Sequence, residues 1–399
     1  MSDSPSFNPD VLEDLIAQTG IDLNKAVEFG RLDEQTVARA RSADASMTDV
    51  RALAALFQVT PSTFFRRSAP TISAGHFRAT LGSREGDPAV AMRALSFAEK
   101  VSRFLASVSP ATAIHSDRLN EARREMPSQP AAAGLYWRRY LDVSQNVQQS
   151  DISVSQFFTY VRSCIERCDI AVLTESFRDK HIKGVAYTDG DGPPVIFINS
   201  YHQQKQSRTF TLVHELAHVA YKRSAISNPY NAETSEERRC NQFAASFLMP
   251  KELIERVVAT KRGAAFDGSD NSCIRWLANK LKVSQEATVI RLEALRYVAK
   301  GFWRTWKAQF DDRDYLPSEE ETASGSQDGR DEGVIKLAKY GFFIASTLQS
   351  QAGEGKRLGV QMYRALRLKP KYVSDYINSS RSQLQSIRNL NALDGVVTK

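Results

Sequence analysis

The sequence reads Phe210-Thr211-Leu212-Val213-His214-Glu215-Leu216-Ala217-His218 near the middle of the chain. Most residues around the two histidines are apolar, which predicts a helix buried in the centre of a domain. In such a helix, residues four positions apart lie on one face, so His214 and His218 can present two imidazole nitrogens to one ion. Because buried polar groups are costly unless something satisfies them, the stretch predicts a metal site, with hydrogen-bonded core histidines as the alternative.

Glu215 follows the first histidine directly and therefore points in a different direction. It is rotated about 100° from His214 around the helix axis, according to the period of 3.6 residues per turn. Its carboxylate can then face a water at the metal instead of occupying the metal itself. This position predicts a general base.

A third ligand is expected nearby, because a catalytic zinc site usually takes three protein ligands and leaves one position open. The predicted helix that follows the histidine helix opens with two adjacent carboxylates, Glu236 and Glu237. We favour Glu237, because Asn241 lies one helical turn further on, where its amide can support a ligand histidine. Glu236 and then Glu233 are the alternative ligands, and an acidic helix start that only complements the helix dipole is the alternative to a metal role.

Three apolar segments precede the histidine helix and predict strands at Ile170–Leu173, Gly184–Tyr187 and Val195–Ile198. With the helices predicted elsewhere, they indicate an α+β fold in which a small sheet lies beside the histidine helix. We expect the third strand to be an edge strand that holds an extended substrate by main-chain pairing. Its substrate-binding residues would be Val195, Ile196, Phe197 and Ile198.

Two segments of the chain resemble the ImmA/IrrE family of metallopeptidases. They are residues 210–218 and 237–250, and the likeness extends to residues 194–199, 281–287 and 291–292. The resemblance implies a zincin-like core of the gluzincin kind, in which His214, His218 and Glu237 bind Zn²⁺ and Glu215 is the base. Cys240 stands where alanine is common in the family.

The resemblance also implies a function, that of a zinc-dependent, site-specific endopeptidase. Such an enzyme cleaves a regulatory protein, a repressor or an antitoxin, and so relieves transcriptional repression in a stress or phage-related response. Tyr187, Tyr221 and Tyr230 are candidates for stabilising the oxyanion. One alternative is a DNA-binding regulator that keeps the zincin fold as a sensor or scaffold without turnover, and another is an interaction module of a toxin and antitoxin pair.

Shifts in composition divide the chain into five segments. We predict a helical bundle at residues 1–68 and a helical connecting region at residues 69–150. The metallopeptidase domain is predicted at residues 151–300. Residues 301–333 predict a connector and flexible linker, because their second half is rich in Ser, Glu, Asp and Gly. Residues 334–399 return to apolar spacing and predict a helical C-terminal segment.

The N-terminal bundle is similar to the helix-turn-helix domain of the phage-repressor (XRE-like) type. Residues 8–12, 19–20 and 53–61 carry the likeness. It implies contact with double-stranded DNA through residues 8–67. A helical bundle retained for protein contact is the alternative.

The chain has 399 residues with 53 basic and 46 acidic side chains, a net charge of +7. Basic residues cluster at Arg304–Lys307 and Arg364–Lys371, which is compatible with nucleic-acid contact and is also typical of a solvated surface. No apolar stretch reaches the length of about 20 residues that a membrane span requires, and the first residues are polar, so we expect a cytoplasmic protein without membrane contact. We expect reduced core thiols at Cys164, Cys168, Cys240 and Cys273.

Overall fold

A computed structural model describes residues 6–70, 86–108, 115–201, 203–223, 225–227, 234–263, 265–309, 331–351 and 355–397. Within these ranges, helices surround one small sheet, which confirms the predicted α+β class. The predicted connector and linker, residues 301–333, is described only over residues 301–309 and 331–333.

The N-terminal bundle consists of four helices and one 3-10 turn. Their bounds are α1 Pro9–Thr19, α2 Leu23–Glu28, α3 Glu34–Arg41, α4 Met47–Phe57 and the turn Pro61–Phe65. Asn8 caps the start of α1, and Gly20 ends it with a φ of 71°, a left-handed conformation that glycine adopts without strain. Arg39 on α3 forms a bidentate ion pair with the buried Asp49 on α4, and this pair fastens the two helices together.

Five helices lead from the bundle to the sheet. They are α5 Pro88–Val108, α6 His115–Glu125, α7 Pro130–Tyr140, α8 Gln145–Gln149 and α9 Val154–Glu166. Phe97 on α5 stacks on Phe197 of the sheet with ring centroids 5.0 Å apart. Gly134 on α7 lies so close to a later helix that an added β-carbon would meet the Phe243 backbone and the Ser246 hydroxyl. The segment predicted as a connecting region therefore packs directly on the sheet and its helices.

The sheet has four strands in the order β1-β3-β2-β4. Their bounds are β1 Ala171–Glu175, β2 Gly184–Tyr187, β3 Val195–Asn199 and β4 Ala225–Ser227. The prediction of Val195, Ile196, Phe197 and Ile198 as an edge strand is wrong. β3 pairs in parallel with β1 and antiparallel with β2, so both of its edges are occupied, and all its residues are buried. A continuous apolar run, without polar residues in alternation, is typical of such a central strand.

The histidine helix and the helices that follow it complete the central part of the chain. They are α10 Lys205–Ala220, α11 Ser235–Leu248, α12 Lys251–Ala259, α13 Asn271–Leu281, α14 Gln285–Ala294 and α15 Phe302–Lys307. α10 packs against β2, β3 and α11. Every residue of α10 from Thr209 to Ala220 is buried, as its apolar sequence predicts.

The C-terminal segment is helical, as predicted, and packs against the sheet. It contains α16 Glu332–Ser350, α17 Gly355–Leu366, a 3-10 turn Pro370–Tyr372 and α18 Val373–Val397. α16 contacts β1, one of the two outer strands, and α18 packs along α16. The four cysteines are free and buried, as expected. None of the described helices combines the length and the apolar character that crossing a bilayer requires.

Candidate metal centre

Three predicted ligand side chains converge where α10 packs against α11. The Nε2 atom of His214 lies 3.0 Å from Oε2 of Glu237, and the Nε2 atom of His218 lies 3.3 Å from Oε1 of the same carboxylate. The two Nε2 atoms are 3.2 Å apart. The structure therefore brings the three side chains into a triangle, in which the two imidazole nitrogens are 3.2 Å apart and each lies 3.0 to 3.3 Å from a different oxygen of one carboxylate.

Local sequence explains how Glu237 reaches the histidines. Thr234 is the cap residue of α11, and its side chain accepts a hydrogen bond from the backbone N–H of Glu237 at 3.1 Å. This cap fixes the first turn of the helix and with it the direction of the Glu237 side chain. At the other helix, Arg123 donates to the Val219 carbonyl at the carboxyl end of α10, at 2.7 Å. One backbone group at each of these helix ends thereby has a partner.

Asn241 determines which nitrogen of His214 carries the proton. Its Oδ1 atom lies 2.8 Å from Nδ1 of His214, one turn along α11 from Glu237. An amide oxygen only accepts hydrogen bonds, so Nδ1 is the donor and Nε2 of the neutral ring keeps its lone pair. That lone pair points at Glu237 and His218, as a metal ligand requires. The structure thus places Asn241 where the sequence predicted a supporting residue.

Charge at this site favours a bound cation. Burial lowers the pKa of His214, against the opposing effect of Glu237, and so favours the neutral imidazole. Burial alone would raise the pKa of the Glu237 carboxyl, but the contacts with His214 and His218 outweigh it and hold the pKa well below its usual range. Those contacts lower the pKa only if a positive charge, a ring proton or a metal ion, lies between the rings and the carboxylate. Because the Asn241 contact leaves Nε2 of His214 without a proton, a metal ion fits that place.

The donor set fits zinc in both chemistry and size. Zinc binds imidazole nitrogen and carboxylate oxygen at about 2.0–2.2 Å in tetrahedral geometry, which separates neighbouring ligand atoms by about 3.3 Å. The three observed separations, 3.0, 3.2 and 3.3 Å, are close to that edge length. The residues present would therefore hold a zinc ion with one position left open.

Cys240 is a neighbour of the site that sequence reasoning assigned only to the core. Its Sγ atom lies 3.7 Å from Nδ1 of His218, on the side of the ring away from Glu237. One ligand atom each from His214, His218 and Cys240 lie within 4.8 Å of one another, so this trio is a second possible ligand set. A signal was available in the sequence, because Cys240 follows Glu237 by three positions and shares its helix face.

We favour Glu237 over Cys240 as the third ligand. A thiol must lose its proton to bind zinc, and burial raises the pKa of Cys240 well above its usual value, with the nearby carboxylates of Glu237 and Glu215 adding to the effect. Glu236, the other alternative, lies 4.0 Å from Nδ1 of His218 and 3.8 Å from Arg223, on the outer side of the helix. Glu233 lies outside the described residues.

Glu215 is fully buried against the first residue of β2. A β-carbon added at Gly184 would lie 2.7 Å from Cδ of Glu215 and would overlap the carboxylate. Only glycine leaves room for the Glu215 side chain at this position. Sequence reasoning missed Gly184, although a glycine at the start of an otherwise apolar strand is a signal of close approach.

The structure describes two of the three tyrosines that were candidates for stabilising the oxyanion. Tyr187 ends β2, three residues after Gly184, and its hydroxyl lies near Gly190. Tyr221 follows α10 directly, where its ring packs edge-on against Phe243 and beneath the Arg239 guanidinium at 4.7 Å. Tyr230 lies outside the described residues.

The fold and the side-chain geometry together define an α+β domain with a candidate metal site. Residues 165–293 match the model of the peptidase M78 family, which is described as the IrrE N-terminal-like domain. The match supports the resemblance to the ImmA/IrrE family, and it contains both histidines, Glu215 and Glu237. No curated protein and no solved structure gave a match to the chain.

Proposed function

We propose that this chain is a zinc-dependent endopeptidase. The observation that carries the proposal is the triangle of His214, His218 and Glu237, in which the Asn241 contact leaves a histidine lone pair directed at the carboxylate. The match to a peptidase family model over residues 165–293 supports the same reading. Zinc is the metal that this donor set suits, with two imidazoles, one carboxylate and one open position.

Each residue has a role in the proposed reaction. His214, His218 and Glu237 would hold the ion, and Asn241 would keep His214 in the ligating tautomer. Zinc supplies a Lewis acid that polarises a carbonyl and makes a nearby water acidic at neutral pH. Glu215 would accept the proton of the attacking water and deliver it to the leaving amine. Its burial against Gly184 restricts the carboxylate to one position.

We assign substrate pairing to the outer strand β4 in place of β3. β4 pairs with β2 on one side, and Ser227 lies opposite Gly184, the residue that contacts Glu215. An extended peptide that added itself to the outer edge of β4 would run past the catalytic carboxylate. β1, the other outer strand, is covered by α16.

The substrate we propose is a regulatory protein, a repressor or an antitoxin, whose single cleavage relieves transcriptional repression. The resemblance to the ImmA/IrrE family and the helical bundle before the peptidase region support this choice. A site-specific enzyme needs a partner surface beyond the cleaved strand, because a few strand residues supply little discrimination. Helices α1 to α4 are available for that contact.

The test co-expresses the full chain with whichever small DNA-binding protein is encoded beside it and follows the length of that protein. We expect cleavage by the zinc-loaded chain, loss of cleavage on chelation and recovery on zinc addition. The Glu215→Gln variant should bind one zinc per chain and cleave nothing. Equal cleavage by this variant, or cleavage that chelation does not change, would remove the proposed mechanism.

A DNA-binding regulator without turnover is the competing function, and the charge of the N-terminal bundle does not favour it. Residues 8–67 carry seven basic and nine acidic side chains, a net charge of −2. Arg39, a cation in the last turn of α3, is paired with Asp49. DNA binding draws most of its affinity from basic side chains at phosphates, which this segment does not have in excess.

A further inference from the structure

The positive charge of this protein is concentrated at its C-terminal end. Residues 334–399 contain eleven basic and three acidic side chains, a net charge of +8. The remaining 333 residues contain 42 basic and 43 acidic side chains, a net charge of −1. Residues 355–390 alone have eight basic side chains and only Asp375 as an acid. Such asymmetry within one chain indicates an anionic partner for the basic end.

Four of these basic side chains lie within eight consecutive residues at the end of α17. They are Arg364, Arg367, Lys369 and Lys371, and all four are exposed. None of them forms an ion pair with a carboxylate among the described residues, although thirteen contacts between a carboxylate and a basic or histidine side chain are present elsewhere. We name these four residues the basic face. Its charges are available to an external anion.

The basic face rests on a rigid support. Met362, Leu366 and Leu368 alternate with the exposed residues and are 0 to 2 % exposed. α17 packs against α5, and the Tyr340 hydroxyl on α16 donates to the Leu366 carbonyl at 2.8 Å. The position of the charges is therefore set by the folded core, unlike that of charges on a disordered tail.

Val360 and Tyr363 add an exposed strip beside the charges. They are 53 % and 51 % exposed, and with Arg364 they occupy positions i, i+3 and i+4 on one face of α17. Tyrosine hydroxyls, arginine and lysine are the side chains that contact phosphate and sugar in nucleic-acid complexes. An exposed tyrosine among four cations thus has the composition of a phosphate-contacting surface.

We propose that the basic face binds the phosphate backbone of double-stranded nucleic acid. A protein partner is less suited to it, because the centre of a protein interface is depleted of charge whereas cations dominate here. A membrane surface is also less suited, because the apolar side of α17 is buried in the fold and only Val360 and Tyr363 are left to insert. Single strands are bound largely by stacking on several aromatic rings, and Tyr363 is the one exposed ring on this face among the described residues.

The test measures binding of the full chain to a fluorescent DNA duplex of about 30 base pairs by anisotropy, from about 50 to about 300 mM KCl. One variant reverses the basic face with Arg364→Glu, Arg367→Glu, Lys369→Glu and Lys371→Glu. The matched control makes the same change of charge in the N-terminal bundle with Arg41→Glu, Arg51→Glu, Arg66→Glu and Arg67→Glu, which are also exposed. Zinc content and thermal unfolding check that both variants fold.

We expect the basic-face variant to lose at least about tenfold in affinity. The slope of log K against log salt concentration should become shallower by about 0.9 for each lost phosphate contact, while the control variant keeps the slope of the unaltered chain. If charge reversal disturbs folding, a variant with Gln at the same four positions takes its place, and we expect it to lose less affinity for DNA. Equal loss in both variants, loss only in the control, or no binding by the unaltered chain would overturn the proposal. Tighter binding to an acidic peptide, to anionic vesicles or to a single strand of equal length would also overturn it.

Discussion

At the scale of single residues, Gly184 and Glu215 form one unit. We predict that Gly184→Ala lowers kcat by about 10- to 100-fold, because the added methyl group displaces the carboxylate from its position near the metal ligands. Zinc content should stay at one ion per chain, since no ligand is touched. Steady-state kinetics and metal analysis measure the two quantities.

The control for Gly184→Ala is a double-mutant cycle. In a Glu215→Gln background, the glycine substitution should cost little further activity, because the group that it displaces has already lost its function. Unchanged kcat in the single variant, or a full additional loss in the double variant, would contradict the close contact as the cause.

Glu237 and Cys240 compete for the place of third ligand, and substitution separates them. We expect Glu237→Gln to lose zinc almost completely, since a neutral amide replaces the anionic ligand, and Cys240→Ala to stay within a few-fold of the unaltered affinity. Competition with a chromophoric chelator measures both. The reverse order of the two affinities would show that the thiol is the ligand.

Asn241 offers a test of the tautomer argument. Removing its side chain with Asn241→Ala should weaken zinc binding by about 10- to 100-fold, because His214 is no longer held with Nε2 free of its proton. Asn241→Asp keeps an acceptor at the same place and should recover most of the affinity. Equal affinity in all three proteins would exclude a supporting role for this residue.

At the scale of elements, the outer edge of β1 is covered by a buried polar cluster. Glu166 at the end of α9 accepts hydrogen bonds from the backbone N–H groups of Val172 and Phe342, at 3.2 and 2.8 Å. Arg162, one turn earlier, donates to carbonyls of Val172 and of α16. The cluster pairs the polar atoms that an outer strand would otherwise expose.

The same cluster requires Gly341, where α16 kinks. Gly341 has φ 76° and ψ −168°, a conformation almost restricted to glycine, and an added β-carbon would overlap Glu166 and Arg162. The Tyr376 hydroxyl on α18 donates to the Gly341 carbonyl. The kink at Gly341 therefore leaves the space that Glu166 and Arg162 occupy. These contacts attach the C-terminal helices to the sheet.

We predict a pH dependence of stability from Glu166. Burial raises its pKa from 4.5 to about 7, against the opposing effect of Arg162. Between pH 4.5 and about 7, the folded chain therefore holds a proton that the unfolded chain has released. The contribution of Glu166 to stability is complete below pH 4.5 and is lost as the pH rises through about 7. Its size is on the order of 3 kcal/mol, at 1.36 kcal/mol per pKa unit.

Urea unfolding of the unaltered chain and of Glu166→Gln, at about pH 5 and about pH 8, tests this linkage. The free energy of unfolding of the unaltered chain should fall relative to the variant as the pH rises, since glutamine does not titrate. A constant difference between the two proteins would mean that Glu166 does not change its protonation in this range.

At the scale of the whole molecule, the metal should stabilise the entire fold. The three proposed ligands come from α10 and α11, which lie at the centre of a core that extends from the N-terminal bundle to the C-terminal helices. Zinc at about 1,000 times its Kd should add about 4 kcal/mol to the free energy of unfolding, because the unfolded chain does not assemble the site. Thermal unfolding with and without chelator measures the effect. A His218→Ala variant should show no chelator shift, and an equal shift in both proteins would argue against this site.

The sequence alone determined the helices and the candidate ligands, because their signals are local. The predicted helix after the histidine helix is observed as α11, and its two opening carboxylates, Glu236 and Glu237, lie in the first turn as expected. The spacing of His214 and His218 placed both on one face before any packing was known. These features depend on helical period, capping and breaking residues, which act within a few positions of each other.

Only the tertiary structure decided how distant segments meet. The apolar run of β3 predicts a strand, but its central place follows from β1, more than 20 residues earlier in the chain, which takes the edge we had expected to be open. Three other features also depend on contacts between residues that are distant in the sequence. They are the space for Glu215 at Gly184, the position of Cys240 beside His218, and the packing of α16 on β1. Pairing and packing partners are chosen by complementary shape and burial across the whole chain, and no local pattern carries that information.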